Sequence, residues 1–234
     1  RLAGQRLRPL RVLPHRMGNA VRIPDQRRLF DGRFLRPVHA GGREVCGHHP
    51  RRFRSARNRP GQWVAISGIG GLGHIAVQYA VAMGMRVVAI DVADDKLALA
   101  TKHGAELTVN AFAQDPAAVI QEKIGGTHGV LVTAVHPAAF GQAIGMTRRG
   151  GTIVFNGLPA GDFPAPIFDI VLKGLTIRGS IVGTRQDMIE ALDFYAAGKI
   201  KPTFHTRPLE DINAVFDEMR HAKIDGRVVI DYTK

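Results

Sequence analysis

The chain has 234 residues and a mass of 25.4 kDa, which is enough for one substantial hydrophobic core and a small second unit. Its 45% hydrophobic and 22% charged residues are ordinary for a globular protein and exclude disorder over the whole length. The net charge of +12 is unevenly spread, because residues 1–60 hold 16 Arg, no Lys and three acids, whereas residues 61–234 hold 16 basic and 17 acidic residues. Two chemically different segments therefore meet near Arg59.

Cys46 is the only cysteine of the chain. A single cysteine excludes an internal disulfide and a zinc site made of several thiolates of one chain, and it fits a reducing compartment. The uncharged stretch 61–85 is long enough for a membrane span, but its glycines at 68, 70, 71 and 73 indicate a strand, a turn and a helix instead. We therefore expect a cytoplasmic protein with no membrane segment.

Apolar runs alternate with helical periodicity from Trp63 onward. Asp94 and Pro137 are expected to open helices, and Gly104 to end one. Strands that are apolar on both faces and alternate with helices predict an α/β fold, a Rossmann-type doubly wound parallel sheet with helices on both sides. In chain order we predict a strand at 64–66, helix 72–83, strand 87–90, helix 94–103, strand 107–109, helix 117–124, strand 130–132, a helix from 137, strands 153–155 and 175–177, helix 185–197, strand 203–205, helix 209–219 and strand 228–230.

The run Gly68-Ile69-Gly70-Gly71-Leu72-Gly73 matches G-x-G-x-x-G between a predicted strand and a predicted helix. Gly68 permits the tight turn, Gly70 lets the backbone approach a pyrophosphate, and Gly73 allows close packing of helix on strand. The phosphates would meet N–H groups at the N-terminus of the helix, where its dipole favours negative charge. The motif predicts a dinucleotide site, and its alternative is a glycine turn that binds nothing.

Asp91 stands 18 residues beyond Gly73, at the end of the second predicted strand. Its carboxylate would accept hydrogen bonds from the hydroxyls of the adenine ribose. Since a negative charge at this position would repel a 2′-phosphate, we expect NAD rather than NADP.

Motifs in the same order resemble the zinc-dependent medium-chain alcohol dehydrogenases of bacterial type, and the resemblance covers about residues 59–234. The motifs are Pro60-Gly61-Gln62-Trp63 through Gly73, Asp91, Lys96-Leu97, Thr133-Ala134-Val135, Arg149-Gly150-Gly151-Thr152, Gly157-Leu158-Pro159, Ser180-Ile181-Val182-Gly183-Thr184 and Gly226-Arg227-Val228-Val229. The resemblance implies NAD-dependent oxidation of a primary alcohol to an aldehyde, with hydride passing to nicotinamide from an alkoxide held on zinc.

The resemblance also assigns roles to residues of this chain. It implies that pyrophosphate lies on Gly68, Gly70, Gly71, Leu72 and Gly73, that Asp91 and Lys96 hold the ribose, that Thr133, Val135 and Gly157 line the cleft, that Gly183 lies near the nicotinamide and that Arg227 reaches a phosphate. A solvated surface charge is the alternative for Lys96 and Arg227. No catalytic role is assigned to His136, because the family usually has a small polar residue there.

None of the zinc ligands of the family can be matched in this chain. Family members place a GroES-like catalytic domain before the nucleotide domain, with a Cys, a His and a second Cys on the catalytic zinc and four Cys on a structural zinc. Cys46-Gly47-His48-His49 offers a thiolate and imidazoles, but adjacent histidines seldom converge on one tetrahedral ion. We therefore name no catalytic residue and no metal ligand, and expect a truncated catalytic domain.

A frameshift is our hypothesis for the origin of the N-terminal segment. With synonymous codons allowed, the stretch 7–22 can be read in a shifted frame as CGHCEYCLTGWETLC, which has the structural-zinc spacing C-x2-C-x2-C-x7-C of the family. The Trp is forced, because Met17 has one codon and Gly18 begins with G. Sequencing the gene tests the hypothesis, which fails if no cysteine codons lie in the shifted frame.

We predict three segments: residues 1–58, Arg-rich and disordered; residues 59–200, an NAD-binding Rossmann domain; and residues 201–234, a return segment toward the catalytic domain. The favoured function is a dehydrogenase-derived domain that keeps NAD binding without zinc. The alternatives are a working alcohol dehydrogenase, a zinc-independent quinone oxidoreductase-like protein, against which Asp91 argues, and a nucleic-acid module on the basic arm. Because that arm has few aromatic residues, we do not expect it to bind nucleic acid. The resemblance further implies a homodimer through the sheet edge near residues 175–182.

Overall fold

The computed structural model describes residues 58–221 and 223–233. The arginine-rich segment, with its predicted disorder, the Cys46-Gly47-His48-His49 cluster and the truncated catalytic domain expected there, lies outside the described residues except for Asn58. The division of the chain at residues 58 and 200 stays a prediction.

Eight strands and seven helices follow one another in the described part of the chain. They are β1 (Trp63–Ser67), α1 (Gly73–Ala82), β2 (Arg86–Asp91), α2 (Asp94–Lys102), β3 (Leu107–Asn110), α3 (Pro116–Ile124), β4 (Thr127–Val132), α4 (Pro137–Met146), β5 (Thr147–Phe155), α5 (Ile167–Lys173), β6 (Thr176–Gly179), α6 (Arg185–Ala196), β7 (Phe204–Pro208), α7 (Ile212–Arg220) and β8 (Arg227–Asp231).

The first six strands form one parallel sheet in the order β3-β2-β1-β4-β5-β6, and β7 pairs with β8 in a separate parallel ladder. This strand order is that of the dinucleotide-binding fold, in which the direction of winding reverses between β1 and β4. The predicted Rossmann-type α/β architecture is therefore confirmed. The reversal leaves a crevice at the carboxyl ends of β1 and β4, and this crevice positions the candidate site.

Both faces of the six-stranded sheet are covered by helices. Successive residues of a strand point to opposite faces, so Val64 and Ile66 pack under α1 and α2 while Ala65 between them packs under α3 and α4. The central strands β1 and β2 are apolar on both faces for this reason, and most of their side chains are fully buried. The hydrophobic core thus consists of two layers that hold the carboxyl ends of the strands in place.

Three local predictions differ from the structure. Helix α5 was not predicted, because a largely apolar run of seven residues is too short for its pattern to distinguish a helix from a strand. The predicted helix 209–219 is divided into a 3₁₀ turn at Leu209–Asp211 and α7. Asp94 does not cap α2: Ala93 occupies the N-cap position, and the Asp94 carboxylate accepts a hydrogen bond from Asn110 Nδ2 at 2.7 Å instead. A tertiary contact with β3 therefore replaces the expected local one.

None of the helices in the described segments has the length and hydrophobicity needed to cross a lipid bilayer.

Candidate functional site

A cleft of about 590 Å³ opens at the carboxyl ends of β1, β2 and β4. Ligands of doubly wound sheets bind at this edge, where the strand order reverses. The structure brings ten of the twelve predicted site residues to the lining of this cleft, namely Gly68, Gly70, Gly71, Leu72, Gly73, Asp91, Lys96, Thr133, Val135 and Arg227. They come from five separate parts of the chain, which the sheet topology places side by side.

The glycine turn between β1 and α1 is shaped by two close approaches. Gly68 has φ +96°, and a Cβ at this position would lie 2.6 Å from the backbone nitrogen of Ala134. A Cβ on Gly73 would collide with the carbonyl oxygen of Gly68, so α1 can begin this close to β1 only with glycine there. The hydroxyl of Thr133 donates to that same Gly68 oxygen at 2.6 Å. The predicted roles of Gly68 in the turn and of Gly73 in packing have these contacts as their physical basis.

No side chain caps the N-terminus of α1, and Gly71, Leu72 and Gly73 at this end of the helix line the cleft. Gly70 has no neighbouring atom within 4 Å of a built Cβ, so the backbone is open at this point. An exposed helix N-terminus with an open glycine backbone is the arrangement that accepts a phosphate.

The Asp91 carboxylate lies beside the glycine turn at the end of β2. Its Oδ2 accepts the Ile69 N–H at 2.6 Å, and its Oδ1 accepts the N–H groups of Val92 at 2.8 Å and Ala93 at 3.1 Å. Three backbone donors fix the orientation of the carboxylate. The turn and the acidic residue, separated by 22 positions in the sequence, therefore form one hydrogen-bonded unit.

Arg227 reaches the cleft from the start of β8. A Cβ on Gly71 would lie 2.6 Å from Cζ and from Nε of Arg227, so the guanidinium lies directly against the glycine turn. Lys96 lines the cleft from the first turn of α2. The two cations and the helix N-terminus make one end of the cleft suited to an anion.

Gly157 and Gly183 are not among the residues that line the cleft. Gly157 lies beside it: its N–H donates to Val132 O at 2.9 Å, and a Cβ on it would collide with the Ala134 carbonyl oxygen. It lines a shallower neighbouring groove with Phe140 and Phe155. Gly183 precedes α6, and a Cβ on it would contact Asp187. The structure therefore places Gly157 at the edge of the site and Gly183 outside the cleft lining.

Several cleft residues were not predicted from the sequence. Ala111 and Phe112 follow β3, and Gln142 lies on α4. Phe112 is 88% exposed, which is unusual for a phenylalanine in a folded domain. Ala111 and Phe112 reach the cleft because β3 lies next to β2 in the sheet. The only signal for them in the sequence was their position just after a predicted strand, and for Gln142 it was a position on a helix that faces the carboxyl end of a strand.

Two histidines at the site have structural partners. His136 lines the cleft and caps α4, with its Nδ1 accepting the Ala138 N–H at 3.3 Å. His74 is fully buried in the first turn of α1. Burial lowers the pKa of His74, a hydrogen bond to the Gly70 carbonyl opposes this, and the nearby Arg227 cation lowers the pKa further. His74 is therefore a neutral residue under the glycine turn.

Zinc has no fitting set of ligands in the part of the chain that the structure describes. Within residues 58–221 and 223–233 no group of three or more His, Cys, Asp or Glu side chains could hold a metal ion. A catalytic zinc requires three protein ligands and an open position.

The model of the family described as zinc-binding dehydrogenase matches residues 71–197, which is more than half of the chain. The chain belongs to the zinc-binding dehydrogenase family. The resemblance seen in the sequence motifs is thereby confirmed for the nucleotide-binding part, and the matched segment runs from the glycine turn through α6.

Individual relatives agree with this membership. The alcohol dehydrogenase of Moraxella sp. (strain TAE123) is 65% identical over 175 residues, which are 75% of this chain and 52% of that protein. Among solved structures, the alcohol dehydrogenase of Aeropyrum pernix is 29% identical with a TM-score of 0.73 over 79% of this chain and 54% of the other. Acetophenone reductase from Geotrichum candidum, solved in complex with NAD, is 26% identical with a TM-score of 0.69 over 80% and 54% of the two chains. The chain spans about half the length of the curated relatives it matches.

Proposed function

We propose that the chain binds NAD(H) in the cleft at the carboxyl ends of β1, β2 and β4. The observation that carries the proposal is the unit formed by the glycine turn and Asp91, joined by the hydrogen bond from Ile69 N–H to Asp91 Oδ2. The glycine turn suits a diphosphate, and Asp91 offers its carboxylate oxygens to a ribose. The cleft volume of about 590 Å³ lies in the range of small-molecule sites.

The charges around the cleft support a particular orientation of the dinucleotide. The pyrophosphate would lie over Gly70 and Gly71 against the Arg227 guanidinium, and the adenine ribose would lie beside Asp91 with Lys96 near it. Thr133 and Val135 would then contact the nucleotide from the end of β4. Gly157, which lies beside the cleft lining, remains a prediction for the wall of the cleft. Gly183, which lies outside the lining, remains a prediction for the nicotinamide end.

The activity proposed for the complete protein is that of an alcohol dehydrogenase. NAD, when bound, would accept the hydride of a primary alcohol, which also releases its hydroxyl proton to solvent as it becomes an aldehyde. The Moraxella and Aeropyrum relatives carry that name, and the chain matches about half of each. Because the described residues hold no ligand set for zinc, we propose that this chain by itself binds the cofactor and does not turn over alcohol.

Asp91 separates this proposal from the quinone oxidoreductase alternative. Its negative charge lies where a 2′-phosphate would sit, so NADH is favoured over NADPH, which quinone oxidoreductases of this fold generally prefer. The nucleic-acid alternative rests on residues outside the described part of the chain. The cytoplasm stays the predicted compartment, on the basis of cysteine usage.

A homodimer through β6 is the proposed assembly. This strand is the outer member of the six-stranded sheet, and all four of its residues are exposed. The apolar residues Ile177, Ile181 and Val182 lie exposed on or just after it. An exposed edge strand with apolar side chains on and beside it is suited to pair with a second copy.

Isothermal titration of the full chain with NADH and NADPH tests the cofactor proposal. We expect NADH to bind and NADPH to bind at least about tenfold more weakly, since one repelled charge is worth about 1.4 kcal/mol or more. A parallel assay with ethanol, NAD and added zinc should give no turnover. Absence of measurable NADH binding would overturn the proposal, whereas alcohol turnover would show that the chain has a complete active site.

A further inference from the structure

His74 connects the glycine turn to the C-terminal segment of the chain. It lies in the first turn of α1, and its ring is fully buried. Nδ1 lies 3.0 Å from the carbonyl oxygen of Gly70, and Nε2 lies 3.2 Å from the backbone nitrogen of Thr203. Since an amide N–H can only donate, Nε2 must be the unprotonated nitrogen and Nδ1 must donate to Gly70. Only the neutral ring can make both contacts.

Thr203 also forms a backbone hydrogen bond with Arg227 at the start of β8. Its carbonyl oxygen accepts the N–H of Arg227 at 3.0 Å. Arg227 is the residue whose guanidinium lies against Gly71 in the cleft. The chain of contacts thus runs from the Gly70 carbonyl through His74 and Thr203 to the backbone of Arg227, and from its side chain back to the glycine turn.

Gln78, one helical turn after His74, holds the same segment at a second point. Its Oε1 accepts the Lys201 N–H at 2.7 Å, and its Nε2 donates to the Lys201 carbonyl oxygen at 3.1 Å. Residues four apart on a helix share one face, so His74 and Gln78 form a two-point anchor for residues 201–203. None of the hydrogen bonds of Gln78 in the described chain involves Gly71 or Arg227. A change at Gln78 therefore affects the anchoring of residues 201–203 without removing a contact that supports the glycine turn.

We infer that His74 and Gln78 are positioning residues for cofactor binding, because they dock residues 201–203 on α1 and thereby place the Arg227 guanidinium at the pyrophosphate site. This inference rests on the proposed function for its effect on NADH. The contribution of Arg227 to binding depends on where the start of β8 lies, and β8 is paired only with β7 in the described sheets. Docking on α1 is what fixes that position relative to the glycine turn.

A double-mutant cycle in the full chain tests the inference. His74→Asn keeps a donor at the position of Nδ1 for Gly70 and cannot reach Thr203, so it should weaken NADH binding about tenfold. In the Arg227→Met background the same substitution should change NADH affinity little, because the group it positions is gone. His128→Asn, at the amino ends of β1 and β4, is the matched control, since an Asn there can keep the bond that Nδ1 accepts from the Trp63 N–H and loses the Nε2 contact with Arg148.

Gln78→Met provides a second route if His74→Asn does not fold. It removes both contacts with Lys201, and also the bond from Nε2 to the His74 carbonyl oxygen within α1, but no hydrogen bond to the glycine turn. NADH should therefore bind several-fold more weakly only while Arg227 is present. Gln121→Met is its control, because Gln121 likewise donates to a backbone carbonyl, that of Gly145, far from the cleft. An equal loss of affinity with and without Arg227 would overturn the inference.

Hydrogen exchange without any nucleotide separates failure of this inference from failure of the proposed function. Peptides containing Thr203 and Arg227 should exchange faster in His74→Asn and Gln78→Met than in the wild type and in the two controls. Unchanged exchange would overturn the inference even where NADH binds. If the wild type does not bind NADH, the proposed function fails, and the exchange data alone decide whether the anchor exists.

Discussion

The backbone N–H of Ile69 donates to Oδ2 of Asp91 at 2.6 Å, across the carboxyl ends of β1 and β2. This bond joins the glycine turn to the residue that would select the cofactor. It also means that a ribose hydroxyl approaching Oδ2 would share or replace the bond from Ile69, so the shape of the turn and the binding of the sugar are coupled.

Asp91→Asn should weaken NADH binding and reduce the preference for NADH over NADPH. The substitution keeps the size of the side chain but removes the charge and places an amide donor against one of the three backbone donors. We expect NADH affinity to fall about tenfold and NADPH affinity to fall less or to rise. Titration of both cofactors measures this. Asp115→Asn, which alters a carboxylate that caps α3 through Ala117, is the control, and an unchanged cofactor ratio in Asp91→Asn would contradict the assigned role.

Three glycine-to-alanine variants should separate binding from folding. Gly73→Ala should cost about 2–3 kcal/mol of unfolding free energy and abolish NADH binding, because its Cβ collides with the Gly68 carbonyl. Gly70→Ala should retain stability, because nothing lies within 4 Å of the added Cβ, but should lose NADH affinity where the pyrophosphate must approach.

Gly141→Ala is the control for both, since it lies within α4 with open space around the added Cβ. It should stabilise the protein by about 0.5–1 kcal/mol and leave NADH binding unchanged. Urea denaturation and NADH titration give the two readouts. Normal NADH affinity in Gly70→Ala would mean that the pyrophosphate does not lie on the glycine turn.

Stability should fall as the pH is lowered from about 7.5 to about 5.5. Burial lowers the pKa of His74, His103 and His128 in the folded protein. Histidines of the unfolded chain titrate near 6.5, so below that pH the unfolded state binds more protons and the free energy of unfolding decreases. The Arg227 cation disfavours protonation of His74, and His74 in turn disfavours protonation of His103, whose ring centroid lies 6.1 Å from that of His74.

His103→Phe should make this pH dependence smaller. The Nε2 atom of His103 is buried without a hydrogen-bond partner, so an apolar ring removes a titrating group without breaking a bond there. Urea midpoints at the two pH values measure the effect. Equal midpoints for the wild type at both pH values would contradict the prediction.

NADH binding should not depend on metal. The described residues contain no group of three or more metal-ligating side chains, and the proposed cofactor contacts come from backbone groups, Asp91 and two cations. Dialysis against a chelator should leave the NADH dissociation constant within about twofold. A larger change, restored by zinc, would show that metal ligands outside the described part support the cleft.

Ile177→Lys should shift the protein from dimer to monomer. The lysine would place a charge in the middle of the exposed edge strand β6, where a second copy would pair. Light scattering after size-exclusion chromatography measures the mass. Met219→Lys on α7 is the control, because Met219 is also exposed but lies away from this edge. A wild-type monomer would contradict the proposed assembly.

The sequence alone was sufficient for the strand and helix alternation, the glycine turn and the acidic residue after β2. These are local properties, since period-2 and period-3.6 patterns and a glycine run between a strand and a helix are formed by neighbours in the chain. Asp94 shows the limit of local rules, because its capping role was wrong once Asn110 of β3 competed for the carboxylate.

Only the tertiary structure decided which distant residues meet. Arg227 lies more than 150 positions after Gly71, and its place in the cleft depends on hydrogen bonds from Lys201 and Thr203 to the buried face of α1. No pattern in the sequence around His74 distinguishes it from any other buried residue of a helix. The partners of the His74 ring are backbone groups of Gly70 and of Thr203, and Thr203 belongs to a segment that follows the six-stranded sheet in the chain. Because all residues but proline carry the same backbone groups, the types of the partner residues do not predict these contacts.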